Sequence, residues 1–286
     1  MKRILLAALL AACIPAQAQF GGFDIGKALD IGKKAIEANK DFSQDDEIQI
    51  GDAATASFLG ASPLHKDANL QRYVNRVGKW LALHSGRPDL PWTFGVIDTE
   101  TLNAFALPGG SVLISSGLLK RLGSEAELAG VLSHEIAHVV KKHQITAIQS
   151  AAKGNLAKSI GTEIASERIG GRGGAAGQMI KPFALDLAGN LIKDGFFLRP
   201  LDRSLEYEAD QLAIVIAARG GYDPYGLVSA LQMLAQYKGD SDAASVFSTH
   251  PPPAERVAEL EKVMPAIEKH AAQPQLLEAR FKQNVR

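Results

Sequence analysis

Ser133-His134-Glu135-Ile136-Ala137-His138 is the stretch on which the reading of this chain turns. On a helix, residues four apart project from one face about 6 Å apart, so both imidazoles can reach a single metal ion. Glu135 lies beside the pair, where a carboxylate can take a proton from a metal-bound water. The flanking residues support a helix. Leu128, Val131, Leu132, Ile136, Val139 and Val140 recur at helical spacing and mark a largely buried element. Ser124 with Glu127 has the capping-box pattern at its start. Lys141, Lys142 and His143 bring positive charge to its end, where it suits the helix dipole. Two ordinary histidines on a surface helix would carry the same letters. Burying two imidazoles and a carboxylate, however, demands polar partners, and a metal supplies them.

The chain has 286 residues, enough for one large domain or two small ones. Hydrophobic residues make up 46% and charged residues 22%, the balance of a globular protein. The formal net charge is zero and no basic run interleaves with aromatics, which argues against a nucleic-acid partner.

Residues 1–18 stand apart. Lys2 and Arg3 precede an apolar stretch from Ile4 to Ile14, too short to span a bilayer. Ala16-Gln17-Ala18 then fits the cleavage pattern of a secretory signal. A second reading stays open beside it. Leu10-Ala11-Ala12-Cys13 has the form of a bacterial lipobox, in which the signal ends before Cys13 and a lipidated Cys13 gives peripheral membrane association. Both readings put the body of the chain outside the cytoplasm, in the periplasm, either soluble or anchored to the outer membrane. No later stretch reaches the length of a transmembrane helix. Cys13 is the only cysteine, so no intramolecular disulfide forms and stability rests on the core and any metal.

Residues 19–50 read as a polar segment, with Asp41, Asp45, Asp46 and Glu47 as a solvated linker or helix end. Leu70, Tyr73, Val74, Val77, Trp80 and Leu81 predict an amphipathic helix. Strands are expected from Trp92 to Ile97, Asn103 to Leu107 and Ser111 to Ser115, the last two around Pro108-Gly109-Gly110. Beyond the HExxH helix, residues 144–168 look helical and 170–177 read as a glycine-rich loop. Gln178 to Phe197 is an apolar segment that would lie across the domain. Helices are expected over 204–219, 224–238 and 252–269, with a tail over 271–286. No repeat period indicates a solenoid.

A catalytic zinc takes a third protein ligand and keeps a fourth position for water. Glu206 and Asp210 are four apart on a helix whose Leu205, Ala209, Leu212, Ala213 and Ile216 suggest a buried side. A ligand and an acid supporting a ligand would sit on such a face. The charged face of an amphipathic helix accounts for the spacing equally well. Glu208 points elsewhere, toward solvent. His250, in Thr249-His250-Pro251, is held out of helical geometry by the proline and can present its imidazole to a cleft. A loop histidine is more often plain surface. His65, His84, His143 and His270 read as ordinary histidines.

Taken in order, NAFALPGG at 103–110, the Ser-x-Gly-Leu-Leu stretch at 115–119, SHEIAHVVKKH at 133–143, EYEAD at 206–210 and THP at 249–251 resemble one family. It is the HExxH zinc metallopeptidase family that includes the CAAX prenyl protease and the bacterial proteases HtpX, BepA and LoiP. The resemblance covers roughly residues 51–265. It implies an α+β fold, a mainly helical gluzincin core with a small β-sheet, occupying residues 51–270. It further implies one zinc per chain on His134, His138 and Glu206, with Glu135 as general base. Asp210 would orient a ligand histidine. His250 would stabilise the transition state near the open position, or occupy that position in a resting form. Asn103, Ala104 and Phe105 would lie on the edge where a substrate peptide pairs. Asp202 stands where many members have serine, so the local helix cap is expected to differ. Lacking membrane helices, the chain is similar to the periplasmic branch, and no TPR-like array is expected after the core.

The implied function is a zinc endopeptidase of the cell envelope acting on polypeptides, with misfolded or misassembled outer-membrane proteins as substrates. A quality-control binder with a normally closed zinc site is the alternative, with residues 170–197 as a lid. A purely structural zinc domain fits less well, since such sites are closed and often cysteine-rich.

Overall fold

A computed structural model describes residues 42–151, 199–269 and 273–285. The signal segment, the lipobox with Cys13, the glycine-rich stretch at 170–177 and the apolar segment at 178–197 lie outside the described residues.

The architecture is α+β and mainly helical, with one three-stranded sheet. Helix α1 (Gln44–Ala61) opens with a complete capping box between Ser43 and Asp46. The acidic cluster is therefore partly structural. Asp46 caps the helix, while Glu47 and Ile50 are buried, which corrects the reading of this segment as solvated. Helix α2 (Ala68–Leu83), capped by Asp67, turns Leu70, Tyr73, Val74, Val77 and Leu81 inward as its periodicity predicts. Trp80 of the same helix stays half exposed.

Strands β1 (Thr93–Ile97), β2 (Ala104–Leu107) and β3 (Ser111–Ser115) form a sheet in the order β1-β3-β2. β1 runs parallel to β3, and β2 antiparallel to it, so β2 is an edge. The Pro108–Gly110 turn between β2 and β3 needs glycine. Gly109 has φ 79°, and a Cβ there would come 2.6 Å from the Ile48 Cα of α1.

Helix α3 (Ser116–Arg121) leads into α4 (Glu125–Val140), the HExxH helix, capped by Ser124. From Glu125 to Val139 nearly every residue of α4 is buried, as expected for a helix apolar on most sides. It packs against α5 (Arg203–Arg219) and α6 (Gly226–Ala235) on one side and against α2 and β2 on the other. Residues 143–151 begin a further helical segment. Asp202 caps α5 by accepting from the Ser204 amide, so the departure from serine preserves the cap.

Helix α7 (Ala244–Thr249) precedes His250. The helix expected over 252–269 is two helices, α8 (Pro253–Glu261) and α9 (Met264–Glu268). Pro265 is the physical reason, because it lacks an N–H and its ring crowds the preceding turn. The stretch read as a tail contains α10 (Glu278–Val285), whose Phe281 is fully buried. Arg280 of α10 donates from Nε to buried Glu125 at 2.6 Å, and Glu125 also accepts from Tyr73 and Tyr222. Among the described residues no helix is long and apolar enough to cross a membrane.

The backbones of α4 and α6 meet closely. A Cβ on Gly130 would lie 2.5 Å from the Leu227 nitrogen. Gly130→Ala should therefore cost about 1–3 kcal/mol of stability, typical of overpacking, read as a lowered denaturation midpoint. An unchanged midpoint would show that the contact yields freely.

Candidate metal centre

Helix α4 carries His134 and His138 one turn apart, and α5 lies across it carrying Glu206. His250, at the C-terminal cap of α7, completes a group whose donor atoms all lie within 4.8 Å of one another. The Nε2 atoms of His134 and His138 are 3.0 Å apart. Glu206 places Oε2 3.6 Å from His134 Nε2 and Oε1 3.5 Å from His138 Nε2. His250 Nε2 is 3.7 Å from Glu206 Oε2. His134, His138 and Glu206 are almost wholly buried, and Glu206 Oε2 has no hydrogen-bond partner among the described residues.

The donor set fits a metal. Tetrahedral bonds of about 2.1 Å to nitrogen and oxygen imply ligand–ligand separations of about 3.4 Å, and the observed spacings bracket that value. The buried carboxylate oxygen without a partner is what such a cation would satisfy.

Asp210, one turn after Glu206, approaches His134 Nδ1 at 2.8 Å. Arg256 of α8 grips the same carboxylate through two hydrogen bonds, from Nε at 2.9 Å and from Nη2 at 2.6 Å. Asp210 thus accepts from His134 Nδ1–H and leaves Nε2 free to face the cluster. His250 is oriented by its neighbour. The Thr249 hydroxyl lies 2.9 Å from His250 Nδ1 and 3.0 Å from the Ser245 carbonyl, which ties the ring to the end of α7.

Electrostatics agree with a cation-seeking site. Burial works to raise the Glu206 pKa, but the surrounding histidines, His250 foremost, outweigh it and hold the carboxyl well below its usual range. Burial likewise opposes charge on Asp210, yet Arg256 holds it low. Burial and Arg256 both disfavour protonated His134, but Asp210 and Glu206 prevail and lift its pKa to about 9. Burial pushes His138 well below the usual value, and pushes His250 down to about 4 against the pull of Glu206. Glu135 is raised to about 7, chiefly by burial, while its acceptance of the Ala106 amide hydrogen works the other way. A carboxylate near neutrality is suited to exchange protons in either direction.

A cleft of about 60 Å³ opens beside the cluster, lined by Phe105 and Ala106 of β2 together with Glu135, His138, Glu206 and His250. That is room for about two waters. Ala104 and Phe105 line this cleft. Asn103 lines an adjoining cavity of about 30 Å³ with His134, Glu135 and His250, and its side chain donates to Ser245 and accepts from the Ala104 amide. A larger groove of about 760 Å³, beside α2 and α10, contains none of the cluster residues.

The profile of Peptidase family M48 matches residues 68–264, a span that contains every residue of this cluster. The chain belongs to peptidase family M48.

Within M48, the β-barrel assembly-enhancing protease of Escherichia coli (strain K12) is 29% identical over 263 residues, covering 91% of this chain and 52% of its own length. Metalloprotease YcaL of the same organism is 26% identical over 260 residues, covering 89% of this chain and 94% of its own. The mitochondrial metalloendopeptidase OMA1 of Schizosaccharomyces pombe is 31% identical over 197 residues, covering 68% of this chain and 52% of its own. The chain spans about half the length of the assembly-enhancing protease. YcaL and OMA1 are named as a metalloprotease and a metalloendopeptidase, in keeping with a His/Glu group able to hold a metal.

Two residues of the centre escaped sequence reasoning. Arg256 is buried on α8, and its only signal was Leu260 four residues on, marking an inward face. His143, read as ordinary, is buried with Nδ1 3.0 Å from His138 Nδ1. Removing the guanidinium with Arg256→Met leaves buried Asp210 with His134 as its remaining partner, beside Glu206. The expected loss is about 3 kcal/mol in urea denaturation of the metal-free protein. A loss below about 1 kcal/mol would mean that His134 alone satisfies Asp210.

Proposed function

We propose that this chain is a zinc-dependent endopeptidase of the bacterial envelope. One observation carries the reading: four donors gathered within 4.8 Å of one another, with buried Glu135 on the wall of the adjoining cleft. His134, His138 and Glu206 are the proposed zinc ligands. When bound there, zinc would supply Lewis-acid chemistry and a water with its pKa lowered toward about 7.

In this reading Glu135 takes the proton from the attacking water and returns it to the leaving amine. Its carboxylate is held at the cleft wall by the Ala106 amide. Asp210 keeps His134 in the tautomer whose Nε2 lone pair faces the metal position. Edge strand β2 offers an extended polypeptide a backbone to pair with next to Glu135, through Ala104 and Phe105. The proposed substrates are misfolded or misassembled envelope proteins, outer-membrane β-barrel proteins among them, in line with the name of the assembly-enhancing protease relatives. The proposed location is the periplasm, soluble or held at the outer membrane through lipidated Cys13.

A second reading concerns His250. Its Nε2 lies 3.7 Å from Glu206 Oε2, among the donor atoms of the cluster, a position that suits a fourth metal donor. We therefore favour a resting centre closed by His250, a form that would bind envelope proteins without cutting them until the histidine withdraws.

Unfolded casein or unfolded outer-membrane protein serves as substrate for the test. Glu135→Gln should keep bound zinc and lose about 10²-fold or more in cleavage rate. Normal cleavage by that variant would contradict the assignment. His250→Ala should raise cleavage if the histidine closes the resting centre. A fall in cleavage with zinc retained would return His250 to the oxyanion role.

A further inference from the structure

His134 and His138 are held by different chemistry. Asp210, a buried carboxylate, accepts directly from His134. Among the described residues no acid touches Nδ1 of His138. What stands there is His143, with Nδ1 3.0 Å away, and behind it Glu208, whose Oε2 lies 3.3 Å from His143 Nε2.

With a metal on His138 Nε2, the hydrogens along this row follow in order. Nε2 of His138 faces His134 and Glu206, so a metal takes its lone pair there. A neutral imidazole then carries its hydrogen on Nδ1. That hydrogen needs an acceptor, and His143 Nδ1 is the atom in place. Neutral His143 accepting at Nδ1 carries its own hydrogen on Nε2, and Glu208 accepts that one. Glu208 is also paired with Lys141 at 2.6 Å, which keeps it an anion and an acceptor.

We infer that His143 is the positioning residue for His138, fixing the tautomer and ring orientation of that ligand, and that Glu208 in turn fixes the tautomer of His143. The turn between them is built for this purpose. The two histidines are five positions apart, a spacing that points them to different sides of a continuous helix. Helix α4 ends at Val140, and Lys142 adopts a left-handed backbone with φ 57°, which swings His143 back beneath His138. Lys142 is not free to leave that conformation. Its ammonium pairs with buried Glu47 of α1, which also binds Arg87 at 2.8 Å. Arg87 donates further to the Val139 carbonyl at 3.3 Å, on the last turn of α4.

The inference rests on the metal-centre reading, and the experiment separates the two. Zinc affinity of the full chain is measured by competition with a chromophoric chelator, with circular dichroism recorded on each variant. Wild type should bind one zinc. His143→Ala should bind it about 10–100-fold more weakly while remaining folded. His143→Gln should recover most of that loss, because a glutamine carbonyl can accept the Nδ1 hydrogen; a role in packing alone would give no such recovery. Glu208→Ala, at a half-exposed position that tolerates change, should weaken zinc several-fold. It also serves as the decisive variant if His143→Ala does not fold. A wild type without zinc would remove the metal-centre reading and this inference together. Wild-type binding with His143→Ala or Glu208→Ala equal to it would overturn this inference alone.

Discussion

Two imidazole Nε2 atoms 3.0 Å apart inside a protein, beside a buried carboxylate oxygen without a hydrogen-bond partner among the described residues, are the constraint on which this structure depends. Without a cation the two rings must share a proton, and burial denies them water. Each histidine already has its other nitrogen committed, one to Asp210 and one to His143, so neither ring can turn away. A cation at the centre relieves all of these conflicts at once. The helices around it are arranged to make that solution the favourable one. α4 delivers two donors because it is buried on nearly every side, and α5 packs along it at the register that brings Glu206 to both rings and Asp210 to His134.

Support for the centre comes from outside the ligand-bearing helices. Arg256 of α8 neutralises Asp210, which keeps a buried acid ionised next to a second one. Glu47 of α1 and Arg87 hold the turn after α4 in the shape that returns His143 to the site. Thr249 sets the ring of His250. The fold thereby keeps ionised acids and imidazole rings side by side in a setting where an unpaired group of either kind would be costly. Glu135 alone is left near the point of exchanging a proton, with burial raising its pKa to about 7.

Much of this was legible in the residues. The period of α4 and its serine cap marked a buried helix before any coordinates, and the alternation around Pro108-Gly109-Gly110 marked β2 and β3. Glu206 and Asp210 were legible as a pair on one face, but spacing could not say which is the ligand. The answer depends on how α5 crosses α4, a tertiary fact. Glu47 was hidden beside Asp45, which does face solvent. His143 was hidden because five-residue spacing has no meaning on an unbroken helix, and the left-handed Lys142 that gives it meaning carries no glycine or asparagine to announce it. Phe281 and Arg280 lay in a stretch too polar to read as core, and α10 is placed by one buried ring and one ion pair to Glu125.

The central claim is that these donors form a metal site. Elemental analysis of the full chain purified without added metal, with X-ray absorption at the zinc edge, tests it most directly. The account predicts one zinc per chain with nitrogen and oxygen neighbours at about 2.0–2.2 Å and no sulfur. A folded protein that neither carries zinc nor takes it up, or one whose zinc survives replacement of both His134 and His138 by alanine, would contradict it.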